Sequence, residues 1–219
     1  VDGKMMVAHN RIDIKEGNTL ENMYLKPLEK MVKDNGGTVY EGGPKEFRIM
    51  IDLKSGGPET MKTLYEVVKR YSHLFSKYEG NAFKAGAIRL VLSGDGIRYS
   101  ATNYQPRYFF VDGRFPLSQL PYGDEVICRV SSHYKKFFSW KGKGEMPADQ
   151  QLQLEQLVAE AHAGDISVRF WAAPENAEVW TALLQAGVDW INVDDLSAFR
   201  QYYFETYVPA AKKQYNRVD

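Results

Sequence analysis

Arg48-Ile49-Met50-Ile51-Asp52-Leu53-Lys54 is a short apolar run that closes on a carboxylate and an amine. The same pattern recurs along the chain. Ile88–Gly94 closes on Ser93-Gly94, and Arg107–Arg114 on Asp112-Gly113-Arg114. Val126–Ser131 closes on Ser131, Val168–Trp171 on Trp171, and Trp190–Asp194 on Asp194. Apolar strands of this kind are buried on both faces, which implies a parallel sheet covered by helices. Reactive residues at the C-terminal ends of parallel strands are how a (β/α) barrel assembles a site. The fold expected is therefore α/β, a TIM (β/α)8-type barrel. A barrel needs eight strands, whereas these six runs and an N-terminal stub at Val1–His9 are all that is visible. The barrel is read as N-terminally incomplete, with strands three to eight plus the end of the strand-two region.

Helical periodicity fills the gaps between these runs. Met23, Leu25, Leu28, Met31 and Val32 predict a helix over 21–33, with Pro27 as a point of breakage. Met61, Leu64, Val67, Val68, Tyr71, Leu74 and Phe75 predict another that starts at Pro58. Leu154, Leu157, Val158 and Ala161 mark a helix over 148–163. A further helix follows Pro174 and stops at Gly187, and one begins at Asp195 as N-cap. The region 94–106 reads as a connection and 132–147 as a long loop. Asp2-Gly3 is a hairpin signal, so a strand is expected before Val1 and another through His9. The tail after Pro209 is polar and is expected to fray or pack outside.

The balance of 28 basic against 28 acidic residues argues against a general nucleic-acid binder, which would need a basic face. No stretch approaches the roughly 20 apolar residues of a membrane span, so no transmembrane segment is expected. The lone Cys128 has no internal disulfide partner and reads as a buried, inert thiol. Length and the absence of a linker suit one domain over 1–219. Dinucleotide, P-loop, zincin and Cys-x-x-Cys signatures are all missing, so a nucleotide cofactor or structural zinc has no support.

The strand ends supply the residues that carry chemistry. His9 offers a general acid or base near neutral pH, or a simple loop histidine. Asp52 and Lys54 share one face of a strand by the period of two. They read either as a cation- and phosphate-binding pair or as a local ion pair. Asp112 and Arg114 are a second acid and base, or a turn. Arg169 and Trp171 share a face, with Trp171 as an apolar wall for a ligand or as core. Ser93 and Ser131 lack a nucleophile elbow. His73 and His162 read as structural or surface residues, and His133 as ambiguous.

Taken in order, several motifs resemble one family. They are Asp2-Gly3 through His9, Ile51-Asp52-Leu53-Lys54, Phe110 through Arg114, Gly144 through Pro147, Arg169 through Pro174, and Gly187 through Asp195. The resemblance is to the glycerophosphodiester phosphodiesterase-like branch of the phosphatidylinositol phospholipase C-like phosphodiesterases. It implies a metal-dependent phosphoric diester hydrolase acting on a glycerophosphodiester- or phosphoinositide-like small molecule. It also implies a divalent cation, calcium or magnesium, and a secreted or periplasmic setting. His9 would protonate the leaving alcohol, Asp52 would bind metal, and Lys54 and Trp171 would contact substrate, with Asp112, Arg114 and Arg169 also expected to bind it. The family's first histidine and its Glu-x-Asp metal pair have no counterpart here. The alternative reading is a non-catalytic phosphate- or carbohydrate-binding barrel. An open sheet edge also predicts self-association. A sugar-phosphate isomerase or aldolase, with Lys54 as Schiff-base lysine, is the least favoured reading.

Overall fold

The structure is a computed structural model that describes residues 3–54, 57–94 and 96–210. The chain divides into two compact units, Val1–Asp112 and Gly113–Asp219. In the first, a π-helical turn at Glu21–Leu25 runs into α1 (Lys26–Asp34), whose first turn accommodates Pro27. Strand β1 (Phe47–Leu53) is followed by α2 (Gly57–Arg70), which buries Met61, Leu64, Val67 and Val68. A hairpin of β2 (Lys77–Glu79) and β3 (Ala82–Lys84) precedes β4 (Ile88–Gly94) and β5 (Phe109–Gly113). The parallel order is β1-β4-β5. Asp52 lies opposite Ser93 and Leu53 opposite Gly94, while Leu92 faces Val111.

Burial follows position in that order. Leu90, Val91 and Leu92 of the central strand β4 are buried, whereas Met50 of β1 is exposed. β4 is the only strand paired with β1 in the described ladders, so the other edge of β1 is open. At the opposite end of these strands Glu46 accepts from Arg89 Nε at 2.9 Å and Ser76 Oγ at 3.0 Å. The Arg89 guanidinium also stands 4.6 Å from the Phe110 ring, so its stem and charge are both used.

The second unit carries β6 (Ile127–His133), α3 (Ala148–Ala163), β7 (Ser167–Trp171), α4 (Ala177–Gln185), β8 (Trp190–Ile191) and α5 (Leu196–Tyr202). Its parallel order is β6-β7-β8. Phe170 of β7 is fully buried among Phe115, Phe137 and Phe138, with ring centroids 6.2, 6.3 and 5.3 Å away. Side chains cap the two later helices. Asn176 Oδ1 accepts from Val179 N at 3.0 Å, and Asp195 Oδ1 from Ala198 N at 2.9 Å.

The expected TIM (β/α)8 barrel is corrected to an α/β fold with six parallel strands among the described residues. Strand–helix alternation specifies which strands are neighbours and says nothing of closure. Here β1 and β8 end the order, so the ring of eight is not formed. The strand expected through His9 is also absent. Met6 makes a single bridge to Thr19, and Val1 and Asp2 of the expected turn lie outside the described residues. The helix expected to reach Phe75 stops at Arg70, and hydrogen-bonded turns carry Tyr71 and Leu74 into the core. β6 runs on to His133, and β8 stops at Ile191. The connection after Gly94 holds a 3-10 helix, Gly96–Asn103. The tail beyond Ala210 lies outside the described residues.

Candidate functional site

Backbone hydrogen bonds build the wall of a cleft in the first unit. Val7 N donates to Asn18 O and Leu20 N to Met5 O, both at 2.8 Å. They pin the neck of a loop over residues 7–18. At its tip Arg11–Asp13 form a 3-10 turn, where the Asn10 backbone and side-chain nitrogens both donate to Asp13 Oδ2 at 3.1 Å. Between this segment and the open side of β1 lies a cleft of about 660 Å³. Met5, Met6, Val7, Ile49 and Ile51 give it apolar walls, and Lys4, His9, Arg11, Asp52 and Lys54 give it polar groups.

The sequence-predicted residues His9, Asp52 and Lys54 are thus neighbours on one cleft. Lys54 Nζ lies 2.7 Å from Asp52 Oδ2, with both side chains substantially exposed. The period of two puts them on one face of the extended chain. An exposed pair of this kind contributes only about 0–1 kcal/mol, so an incoming anion displaces Asp52 from Lys54 at little cost. Among the described lining residues the charged side chains are Lys4, Arg11, Asp52 and Lys54. Gly94 backs this corner from β4. Its φ is +85°, and a Cβ there would stand 2.3 Å from both Asp52 Oδ1 and Leu53 O.

Asp112 is not among the residues lining this cleft. It is fully buried and accepts from Ser93 Oγ at 2.6 Å. Its backbone carbonyl accepts from Arg98 Nε at 3.1 Å, and Arg98 Nη1 donates to Gly94 O at 2.7 Å. These contacts tie the ends of β4 and β5 together. In the second unit Arg114 donates to the Gly113 carbonyl at 2.7 Å, and Arg169 to Asn192 Oδ1. Trp171 is 38% exposed and packs edge-on to His133, with ring centroids 4.3 Å apart. His133 Nδ1 accepts from Lys135 N at 3.1 Å, which leaves the proton of the neutral ring on Nε2. Ala172 follows with a φ of +54°, a left-handed conformation unusual outside glycine. His73 and His162 pair with Glu29 and Asp189, each at 2.9 Å.

Lys4 and Arg11 are the cleft residues that sequence reasoning misses. Neither sits at a strand end, and the backbone closure of the loop leaves no pattern in side-chain identity.

The cleft does not fit the expected calcium or magnesium. Among the described residues no group of three or more His, Cys, Asp or Glu could hold a metal. Calcium takes about 6–8 oxygen ligands, whereas Asp52 is the one carboxylate of the described lining and already pairs with Lys54. The metal-binding reading is therefore set aside.

Comparison with known proteins also corrects the family. Altered inheritance of mitochondria protein 6 of Eremothecium gossypii is 27% identical over 233 residues, covering 90% of this chain and 59% of that protein. Altered inheritance of mitochondria protein 6 homolog of Arthroderma benhamiae is 24% identical over 226 residues, covering 91% of this chain and 70% of that protein. The chain thus spans about three fifths of the first relative's length. No protein-family model matches the chain, and no solved structure matches it. The relatives' names and the lack of a matching family model overturn the glycerophosphodiester phosphodiesterase-like assignment. No helix among the described residues is long and apolar enough to cross a membrane.

Proposed function

We propose that the first unit binds a small phosphate ester in the cleft between residues 4–11 and β1. One observation carries this reading: among the described residues Arg11, Asp52 and Lys54 line a cleft whose walls are formed largely by Met5, Met6, Val7, Ile49 and Ile51. A phosphate there would take Lys54 from its weak pair with Asp52, and the apolar walls would accept the organic part of the ester. Isothermal titration with a glycerol phosphodiester is the test. Lys54→Met should weaken binding by about tenfold, the order expected for one charge-assisted hydrogen bond. Absence of binding to the wild-type protein, or unchanged affinity in Lys54→Met, defeats the proposal.

A second reading is favoured by the position of His9 on the same cleft as Lys54. Water would attack phosphorus and form the new P–O bond as the ester P–O bond breaks, the protonated His9 would give its proton to the departing alkoxide, and Lys54 would offset the developing charge. Release of the alcohol should then fall by about 10²–10⁴-fold in His9→Ala. A protein that binds the diester without cleaving it sinks the second reading and leaves the first intact. The relatives are named for altered inheritance of mitochondria, and nothing in those names supports the exported setting.

A further inference from the structure

Strand β1 turns its edge to the cleft, not one of its faces. Ile49 to Lys54 line the cleft without a gap, whereas a face would contribute every second residue. Phe47 N donates to Ala87 O at 2.8 Å, which sets the β4 side of the strand. Main-chain groups alternate sides along a strand. Those of Phe47, Ile49, Ile51 and Leu53 therefore point to β4, and those of Arg48, Met50 and Asp52 point to the open side. An edge of this kind is a template for a further strand, and the cleft holds the 4–11 segment away from it.

The side chains say which strand fits. By the period of two, Glu46, Arg48, Met50, Asp52 and Lys54 share one face of this stretch. Their charges read minus, plus, neutral, minus, plus. Run antiparallel to itself with Met50 opposite Met50, the stretch sets Glu46 against Lys54 and Arg48 against Asp52. On the other face it sets Phe47 against Leu53 and Ile49 against Ile51. Each charge meets its opposite and each apolar residue meets another. The neighbouring registers do not match. A slip of two residues one way opposes Arg48 with Lys54, and the other way it opposes Arg48 with Met50. A slip of one turns groups that serve β4 toward the partner, and an in-register parallel match sets every charge against itself. Within one strand Lys54 lies 2.7 Å from Asp52, and Arg48 Nε lies 3.5 Å from Glu46 Oε1. Antiparallel pairing joins these contacts into two squares of alternating charge. Met50, 38% exposed in the single chain, then packs on its own counterpart.

We infer that β1 pairs antiparallel with β1 of a second copy of this chain, about a two-fold axis at Met50. The contact is isologous, so each favourable pair occurs twice. A paired strand stands about 4.8 Å away, within the cleft, so pairing and ligand occupancy compete for one space. Pairing itself does not depend on what the ligand is.

Sedimentation velocity across the micromolar range is the experiment. The wild-type chain should pass from monomer to dimer as concentration rises. Met50→Pro should abolish the dimer. Proline is tolerated at an edge position whose N–H faces solvent, but it gives a partner strand no donor. Asp52→Arg should weaken the dimer by about tenfold, since symmetry counts the reversed pair twice. Adding Arg48→Asp to that variant should restore the dimer. Mild oxidation should link Met50→Cys into a covalent dimer, because directly opposed residues stand about 5.5 Å apart at Cα. Asp52→Cys, opposite Arg48 and not its own counterpart, should stay unlinked. The cysteine pair decides the matter should the proline variant fail to fold. Wild-type chain that stays monomeric throughout overturns the inference, as does a dimer that survives Met50→Pro. Equal linking of Met50→Cys and Asp52→Cys overturns the register. Open-ended assemblies larger than the dimer would pair β1 with β8 of the next copy and overturn it too.

Discussion

Substituting Gly94 by alanine perturbs the cleft corner from behind, and its cost follows from two separable effects. The residue sits at φ +85°, where an L side chain crowds its own backbone. That conformation alone costs about 1–2 kcal/mol. The added Cβ would also stand 2.3 Å from Leu53 O and 2.8 Å from Leu53 N. Asp52 Oδ1, at 2.3 Å, can swing away, but the Leu53 backbone moves only if β1 shifts against β4. Overpacking of this kind costs about 1–3 kcal/mol, so Gly94→Ala should destabilise by about 2–5 kcal/mol in all. Gly17→Ala is the matched control. It has φ +86° with nothing within 4 Å, so it carries the first effect alone. Urea unfolding followed by far-ultraviolet circular dichroism, with m compared across variants, measures both. Equal midpoints for the two variants would refute the claim that Gly94 is required by its close approach to β1.

Three further predictions concern the second unit. The Tyr134 hydroxyl is buried and finds no hydrogen-bond partner among the described residues, so Tyr134→Phe should stabilise by about 1 kcal/mol in urea unfolding. Burial pushes the Tyr134 hydroxyl up to about 12 from 10.0. Stability owed to this group is therefore complete below pH 10 and lost as pH rises toward 12, where the unfolded chain ionises first. The phenylalanine variant should lack that share of the alkaline decline in a series of melts. Phe170→Ala removes the fully buried ring at the centre of the Phe115, Phe137 and Phe138 cluster. It should cost about 3–5 kcal/mol in the same denaturation assay, and a loss below 1 kcal/mol would mean that the cluster repacks.

The sequence was readable where hydrophobic pattern and structure share a cause. β4 and α2 declared themselves because burial dictates both the run Ile88–Leu92 and the spacing of Met61, Leu64 and Val68. The β2–β3 hairpin did not, since Ala82, Phe83 and Lys84 are exposed and nothing in their order encodes a face. Lys4–His9 misread as a strand because Met5, Met6 and Val7 are apolar. They line a cleft instead of pairing along a sheet. Strand ends pointed correctly to where Asp52 and Lys54 lie, but spacing alone left open whether they bind each other or a ligand. The structure gives the ion pair, and it adds Lys4 and Arg11, whose contribution depends on a loop closed by backbone bonds. Sequential alternation of strand and helix also carried no information on ring closure.

The division at Asp112 has an optical consequence. Trp140, Trp171, Trp180 and Trp190 are all four of the chain's indoles, and all belong to the unit that starts at Gly113. Emission excited at the red edge of the indole band therefore watches that half alone, while peptide dichroism sums both halves. Any gap between the two traces during a melt measures, without a label, how far the halves come apart as separate cooperative units.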